Sequence, residues 1–440
     1  MQTQFDITQL ARPEIAEAER VLRKCVHCGF CLATCPTYVL LGDERDSPRG
    51  RIYMIKDMLE SGGAADAATV RHIDRCLSCL SCMTTCPSGV DYMHLVDHAR
   101  SHIAQSYRRP VFERVLRRML AILLPRPGLF RVAVLAARGA ALAGQFLPGI
   151  PGALMRLSLR PVQAPSWVDR PRTIAAQGGA RKKRVALLNG CVQKVLAPQI
   201  NEASARLLAR HGCEVVVARG AGCCGALSLH QGKRAAAESW ARANIEAYLA
   251  EHRREPLDAI ISNASGCGTM LKDYGVLLRD QPELAESAGE VAGLARDISE
   301  ILADLRPLKP VGVAKLRVAY HGACSLRHGQ KLHEAPKTLL AEVGFEVCEA
   351  LDGHLCCGSA GAYNILQPAL AGRMLTQKVE TLEQTEPDII ATGNIGCMVQ
   401  IASGTHIPVV HTAELLDWAT GGPLPAALAA RSLPVRQGGE

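Results

Sequence analysis

Two stretches constrain this chain more than anything else in it: KCVHCGFCLATCP at 24–36 and RCLSCLSCMTTCP at 75–87. Each sets four cysteines in the order C-x2-C-x2-C-x3-C-P. The first holds Cys25, Cys28, Cys31 and Cys35 before Pro36; the second holds Cys76, Cys79, Cys82 and Cys86 before Pro87. Thiolates spaced by three residues wrap one face of a cubic iron–sulfur cluster, and the fourth is carried off by the chain. Zinc is the competing metal, but it favours two C-x2-C pairs per site, usually far apart. Four cysteines in eleven residues, twice, each time followed by proline, is a poor zinc pattern.

In ferredoxins that carry two such clusters, the fourth cysteine of each run ligates the other cluster. The spacing therefore assigns one [4Fe–4S] cluster to Cys25, Cys28, Cys31 and Cys86, and a second to Cys76, Cys79, Cys82 and Cys35. His27 and the small residues between ligands read as spacers that leave room for backbone N–H groups near cluster sulfur. Between the runs, GRIYMIKDMLE puts Ile52, Ile55 and Met58 or Leu59 at helical spacing. The unit thus resembles the helical two-cluster ferredoxin fold. GDERDSPRGR reads as a polar loop whose Arg45, Arg49 and Arg51 could tune a cluster, meet a partner or simply be solvated.

Ten more cysteines follow, for 18 in 440 residues. No uncharged apolar run reaches the roughly 18 residues of a membrane-spanning helix. MQTQFDITQLARPEIAEAER has no basic-then-apolar leader, so a reducing cytoplasm is expected. In that setting the cysteines read as metal ligands or redox thiols and not as disulfides. The length suits two to four domains, and with 4% aromatics against 48% hydrophobics the cores must be filled by Ala, Val, Leu and Ile.

The net charge of +8 is unevenly spread. Between Arg108 and Arg184 stand sixteen Lys and Arg but only two acids, Glu113 and Asp169, so the rest of the chain is net acidic. Within 107–157 arginines alternate with apolar residues, and prolines interrupt at Pro125, Pro127, Pro148 and Pro151. Over 111–124, Val111, Val115, Met119, Ile122 and Leu123 fall on one helical face, with Arg114, Arg117 and Arg118 on another. That pattern suits an anionic membrane surface, a partner, or the chain's own core. No nucleic-acid motif accompanies the charge, so nucleic acid is not expected. RPVQAPSWVDRPRTIAAQGGARKKR reads as a linker.

The remaining cysteines fall into an internal duplication. LLNGC ends at Cys191, GCCG holds Cys223 and Cys224, and SGCG holds Cys267. YHGAC ends at Cys324, LCCG holds Cys356 and Cys357, and IGCM holds Cys397. Cys191 and Cys223 stand 32 positions apart, and so do Cys324 and Cys356. LLARHGCEVVVA matches LLAEVGFEVCEA, leaving Cys213 and Cys348 outside the symmetry as small apolar residues. Each copy alternates apparent strands and helices, the signature of a mostly parallel sheet. The motif cysteines come just after strands, where such sheets form their binding crevice. Each set of four should therefore converge, to hold a further iron–sulfur cluster or redox-active thiols, or as the relic of a lost metal site. His321 and His411 read as core histidines, with support of a metal site as the alternative.

The paired runs, CPTYVLLGDERDSPRGRIYMIK and two CCG domains together resemble the iron–sulfur subunits of glycolate oxidase over nearly the whole chain. The CCG domains alone also resemble those of heterodisulfide reductase, lactate-utilisation proteins and anaerobic glycerol-3-phosphate dehydrogenase. Where heterodisulfide reductase ends the motif in C-x-x-C, this chain has Met270 and Gln400, so that reductase's cluster type does not carry over.

The resemblance implies a multidomain chain. A helical two-cluster ferredoxin domain occupies 1–105 and a basic connector 106–182. A first CCG domain spans 183–310, a second 311–425, and a tail 426–440. It implies two flavoprotein subunits that carry FAD and oxidise glycolate to glyoxylate. This chain would pass their electrons towards a membrane quinone from the cytoplasmic face of the inner membrane. The chain has no G-x-G-x-x-G after a strand, no P-loop and no nucleophile elbow, so the substrate site is expected on a partner. D-lactate or glycerol-3-phosphate oxidation, and thiol–disulfide reduction at the CCG cysteines, remain alternatives.

Overall fold

Prolines begin the helices that shape the N-terminal region. In α1 (Pro13–Lys24), α2 (Pro36–Leu41) and α3 (Pro48–Ser61) a proline opens the first turn, where no N–H is needed. Cys35 is the N-cap residue of α2, so the proline after the first run turns the chain into a helix directly from its last thiol. The computed structural model describes residues 1–144, 149–152, 162–312 and 315–429. Parts of the expected connector (145–148 and 153–161), residues 313–314, and most of the expected tail lie outside the described residues.

The expected loop GDERDSPRGR is corrected in its second half. Ser47 accepts from the Gly50 N–H and caps α3, so Pro48 to Arg51 form that helix's first turn. Further helices are α4 (Ala67–Asp74), α5 (Ser81–Thr85) and α6 (Tyr92–Ser106). Ile52, Ile55, Met58 and Leu59 of α3 are buried against Val21, Leu22, Ile73, Leu95 and Val96. The two cysteine runs are draped over this helical core, the first as an irregular segment and the second as irregular chain with the short helix α5 inside it.

The connector folds as α7 (Val111–Leu123) and α8 (Pro127–Gly144). The inward stripe differs from the one read in sequence. Leu116, Leu120 and Leu124 pack with Phe130 and Val134 against Val195, Ala362 and Ile365. Val111, Phe112, Val115, Met119 and Ile122 are left exposed. Arg117 turns inward and pairs with Asp74 (2.9 Å) and Glu113 (2.7 Å). The physical reason is that the α7 surface has two apolar stripes, and the partner surface offered by the repeat selects the leucine one.

The C-terminal region holds two sheets. The first comprises β1 (Arg172–Ile174), β2 (Lys183–Leu188), β3 (Cys213–Val217), β4 (Ala259–Ser262) and β5 (Ala295–Asp297), in the order β1-β3-β2-β4-β5. The second has β6 (Arg317–His321), β7 (Glu346–Cys348), β8 (Ile389–Thr392) and β9 (Val409–His411), in the order β7-β6-β8-β9. The duplication is therefore topological as well as sequential. All pairings are parallel except that of β1, an antiparallel edge strand within the stretch read as linker. Val185, Leu187, Val215 and Ile261 of the first sheet share one buried cluster with Val318, Tyr320, Ile389 and Val410 of the second. The N-terminal helices lie against both copies. His94 meets Asp273 at 2.8 Å, Thr84 meets His328 at 2.8 Å, and Arg373 donates to the Leu40 carbonyl at 2.9 Å.

Candidate metal centres

Left-handed backbone curls both cysteine runs in the same way. His27 and Gly29 in the first run, and Ser78 and Leu80 in the second, have φ of 58°, 86°, 52° and 63°. Three of these four are not glycine, and an L-residue held there stores strain of about 1–2 kcal/mol. His27 is thus more than a spacer. Such turns aim successive N–H groups and thiols to one side. The Ser78 N–H, for instance, donates to Cys76 Sγ at 3.5 Å.

The thiols gather as two sets, each drawn from both runs. Cys25, Cys28, Cys31 and Cys86 line one small cavity together with Cys82. Cys35, Cys76, Cys79 and Cys82 line a second. No three of these eight thiols lie within 4.8 Å of one another. They are therefore too far apart to share a single ion, as zinc would require, which fits thiolates that each hold a different iron of one cluster. Burial pushes Cys31 up to about 11, and Cys79 and Cys82 well above the ordinary thiol range. Anionic thiolates in these pockets need a cationic centre to compensate them.

The second set also has a buried cation. Arg51, 1% exposed, donates to Cys35 Sγ at 3.8 Å, to Thr37 at 3.0 Å and to the His72 carbonyl at 2.8 Å. It pairs with Asp46, which is wholly buried and also meets His72 (2.9 Å) and Arg75 (2.7 Å). The Tyr92 hydroxyl donates to Cys76 Sγ at 3.8 Å. Arg45, by contrast, is exposed and paired with Asp43, while Arg49 pairs with Glu44 and donates to the His27 carbonyl. Of the three arginines in GDERDSPRGR, Arg51 reaches a cysteine sulfur with its guanidinium and Arg49 reaches Cys31 with its backbone N–H. Tyr92 had no sequence signal, because its role depends on α6 crossing behind the second run.

In the C-terminal region each copy brings its four motif thiols together. Cys191, Cys223, Cys224 and Cys267 form a hydrogen-bonded chain of thiols. Hydrogen bonds from Cys191, Cys224 and the Gly225 N–H hold Cys223 far below the usual thiol range, while its neighbours are pushed up. Cys324, Cys356, Cys357 and Cys397 form the matching chain. Gly225 and Gly358, the third letters of the two CCG motifs, have φ of 95° and 87°. A Cβ there would sit 2.9 Å from the Ala237 carbonyl and 2.7 Å from the Ala371 carbonyl, so helix backbone packs directly on each turn.

A cavity of about 230 Å³ joins these sites. Cys191, Cys224 and Cys267 of the first copy line it, with Cys324, Cys356 and Cys397 of the second and Cys79 of the second run. Leu124 and Phe130 of the connector close one wall. Six of the eight C-terminal motif cysteines, all but Cys223 and Cys357, thus face one chamber that also reaches the second N-terminal set. Met270 and Gln400, at the positions where a fifth cysteine would stand, are buried. His411 caps the helix Thr412–Ala419 by accepting from the Ala413 N–H at 3.1 Å, a structural role. Cys213 is fully buried and Cys348 half-buried, both away from the chamber lining.

Comparison with known proteins agrees with this layout. Residues 24–90 match the 4Fe-4S dicluster domain, and residues 185–272 and 318–402 each match the CCG cysteine-rich domain. The chain is 41% identical to the glycolate oxidase iron–sulfur subunit of Escherichia coli over 95% of its own length and 99% of that protein's. It is 33% identical to the probable glycolate oxidase iron–sulfur subunit of Bacillus subtilis, over 92% of this chain and 95% of that one. Lactate utilization protein A of Shouchella clausii is 27% identical over 53% of this chain and 98% of its own. Among solved structures, a hypothetical protein from Helicobacter pylori shares the fold, with a TM-score of 0.52 at 10% identity, covering 95% of this chain and 74% of that one.

Proposed function

Since the chain belongs to the family of glycolate oxidase iron–sulfur subunits, we propose that it accepts electrons from FAD-bearing flavoprotein partners that oxidise glycolate to glyoxylate, and delivers them towards a membrane quinone. One observation carries the reading. Cys79, in the second N-terminal thiol set, faces the same chamber as both sets of CCG cysteines. Cys25, Cys28, Cys31 and Cys86 are the ligands of one [4Fe–4S] cluster; Cys35, Cys76, Cys79 and Cys82 are those of the other. Clusters held there take up and give back single electrons. The chain's own groups set the conditions. Arg51 and Tyr92 place a positive charge and a hydroxyl against the second set, favouring the more negative, reduced state, while the helical core excludes water. The CCG cysteines place further metal-binding or redox thiols around the chamber beside Cys79.

The first test is anaerobic purification with the flavoprotein partners, iron counting and addition of glycolate. About eight irons in the N-terminal sets, bleached by glycolate, are expected. Bleaching by D-lactate and not by glycolate would move the chain to another hydroxy-acid oxidation. Cys35→Ser should remove the cluster built mainly on the second run and spare that of its sequence neighbours; loss of the first alone would overturn the crossed assignment.

We also read α7 as the membrane contact. No described helix is long and apolar enough to cross a bilayer. The exposed Val111, Phe112, Val115, Met119 and Ile122 are accompanied by exposed Arg108, Arg114, Arg118 and Arg126. Glu113 is the acid of this helix, and Arg109 and Arg117 already occupy it. An apolar stripe beside uncompensated arginines suits an anionic lipid surface. Arg114→Gln with Arg118→Gln should weaken binding to anionic vesicles by about 2 kcal/mol, near thirtyfold, without unfolding the chain. Unchanged binding would leave the stripe to a protein partner.

A further inference from the structure

The second repeat holds a metal donor that the first lacks. LLNGC and YHGAC align Leu188 with His321, each at the end of its copy's first parallel strand. A ring nitrogen of His321 and the thiols of Cys357 and Cys397 lie within 4.8 Å of one another, and all three residues are buried. His321 is 2% exposed, and its Nε2 is buried without a hydrogen-bond partner. A polar atom left so is expensive unless something binds it. Among the described residues one other group is as tight, Asp43, Asp46 and His72, and there Arg51 and Arg75 already engage Asp46. In the first copy, no three of Cys191, Cys223, Cys224 and Cys267 come this close.

We propose that His321, Cys357 and Cys397 bind one divalent ion of the zinc class, making the second repeat a mononuclear metal site and not a cluster site. Tetrahedral bonds of about 2.3 Å to sulfur and 2.0–2.1 Å to nitrogen put donors roughly 3.5–3.8 Å apart. A donor set already within 4.8 Å needs only a small contraction to reach that. In a cubic cluster each thiolate binds a separate iron and must stand further off, as the N-terminal thiols do. Charge agrees: two thiolates and a neutral imidazole balance a divalent ion, and a neutral unit is what a buried site tolerates. Asn394 donates its amide to Cys397 Sγ at 3.8 Å and so orients one ligand. Cys397 lines the chamber together with Cys324 and Cys356, so the fourth tetrahedral position of the ion would go to solvent or to a neighbouring thiol. The three ligands come from the end of β6, the CCG turn and the helix Ile395–Ile401, so the ion would tie three segments together.

The inference rests on reading the CCG cysteines as metal-binding, and its test separates the two. The full chain, purified anaerobically with its partners, would be analysed for iron and zinc and by zinc K-edge absorption. One zinc per chain is expected beside about eight irons, with sulfur near 2.3 Å and one nitrogen near 2.0–2.1 Å. His321→Gln should lower zinc occupancy at least tenfold with iron unchanged. His321→Cys should keep the ion with an all-sulfur signal in place of the nitrogen, which guards against mere misfolding. Cys267→Ser, in the first copy, should leave zinc in place. Absent zinc with about twelve irons, or zinc kept unaltered in His321→Gln, would overturn the site. Zinc present with iron well short of eight would support it and sink the two-cluster reading instead.

Discussion

The N-terminal and C-terminal regions gather thiols by opposite means. In the N-terminal region the ligands are close in sequence, and left-handed turns at His27, Gly29, Ser78 and Leu80 aim them. Short irregular segments cannot bury their own apolar faces, so charge does part of the holding, through the enclosed Arg51–Asp46 pair. In the C-terminal region the four thiols of each copy come from segments far apart in the chain, delivered by the ends of parallel strands. There an apolar core running beneath both sheets does the holding, and the turns need only a glycine. Local spacing makes a site legible and strained; sheet topology makes one illegible residue by residue but well supported.

The largest expected effect probes the charge side of that contrast. Asp46→Ala strands the buried Arg51 cation and should destabilise the N-terminal region by about 3–5 kcal/mol, read by urea unfolding. A loss below about 1 kcal/mol would mean the turns hold themselves. Next come the two glycines. Gly225→Ala and Gly358→Ala should each cost about 2–3 kcal/mol, through positive φ and contact with helix backbone. Gly358 should suffer more, because its Cβ would approach the Ala371 carbonyl more closely. Equal or negligible losses would show that the CCG turns relax.

The smallest effect lies where the regions meet. His94 stands between Asp91 (2.6 Å) and Asp273 (2.8 Å). Against the opposing effect of burial, hydrogen bonds that the His94 ring donates to these two carboxylates raise it to about 10. Its folded value exceeds its unfolded one, so its contribution is full below about pH 6.5 and fades as pH rises through about 10. His94→Ala should therefore destabilise the chain by about 2 kcal/mol at pH 6 and by progressively less towards pH 10. A loss independent of pH would make His94 a packing residue.

Much of this was open to inspection beforehand. The cysteine spacing carried the ferredoxin-type region, and the matched LLNGC and YHGAC frames carried two copies of a parallel sheet. Other features were not. Arg51 sits among three arginines of a polar stretch, and nothing local marks it as the enclosed one. His321 looked like a core histidine because its partners, Cys357 and Cys397, lie 36 and 76 positions away. Helix α7 offered two apolar stripes, and the sequence pattern favoured the one that stays exposed.

What the sequence determined by itself is whatever follows from short-range geometry: ligand spacing, proline-opened helices, strand-then-cysteine order and the repeat. These depend on residues a few positions apart, whose distances the backbone fixes. Tertiary structure decided which charge is buried, which helix face turns inward, that both CCG sets open onto one chamber beside Cys79, and that the two copies differ at Leu188 and His321. Those outcomes depend on the desolvation and packing of surfaces brought together from distant parts of the chain, and no local pattern encodes which surface a residue will meet.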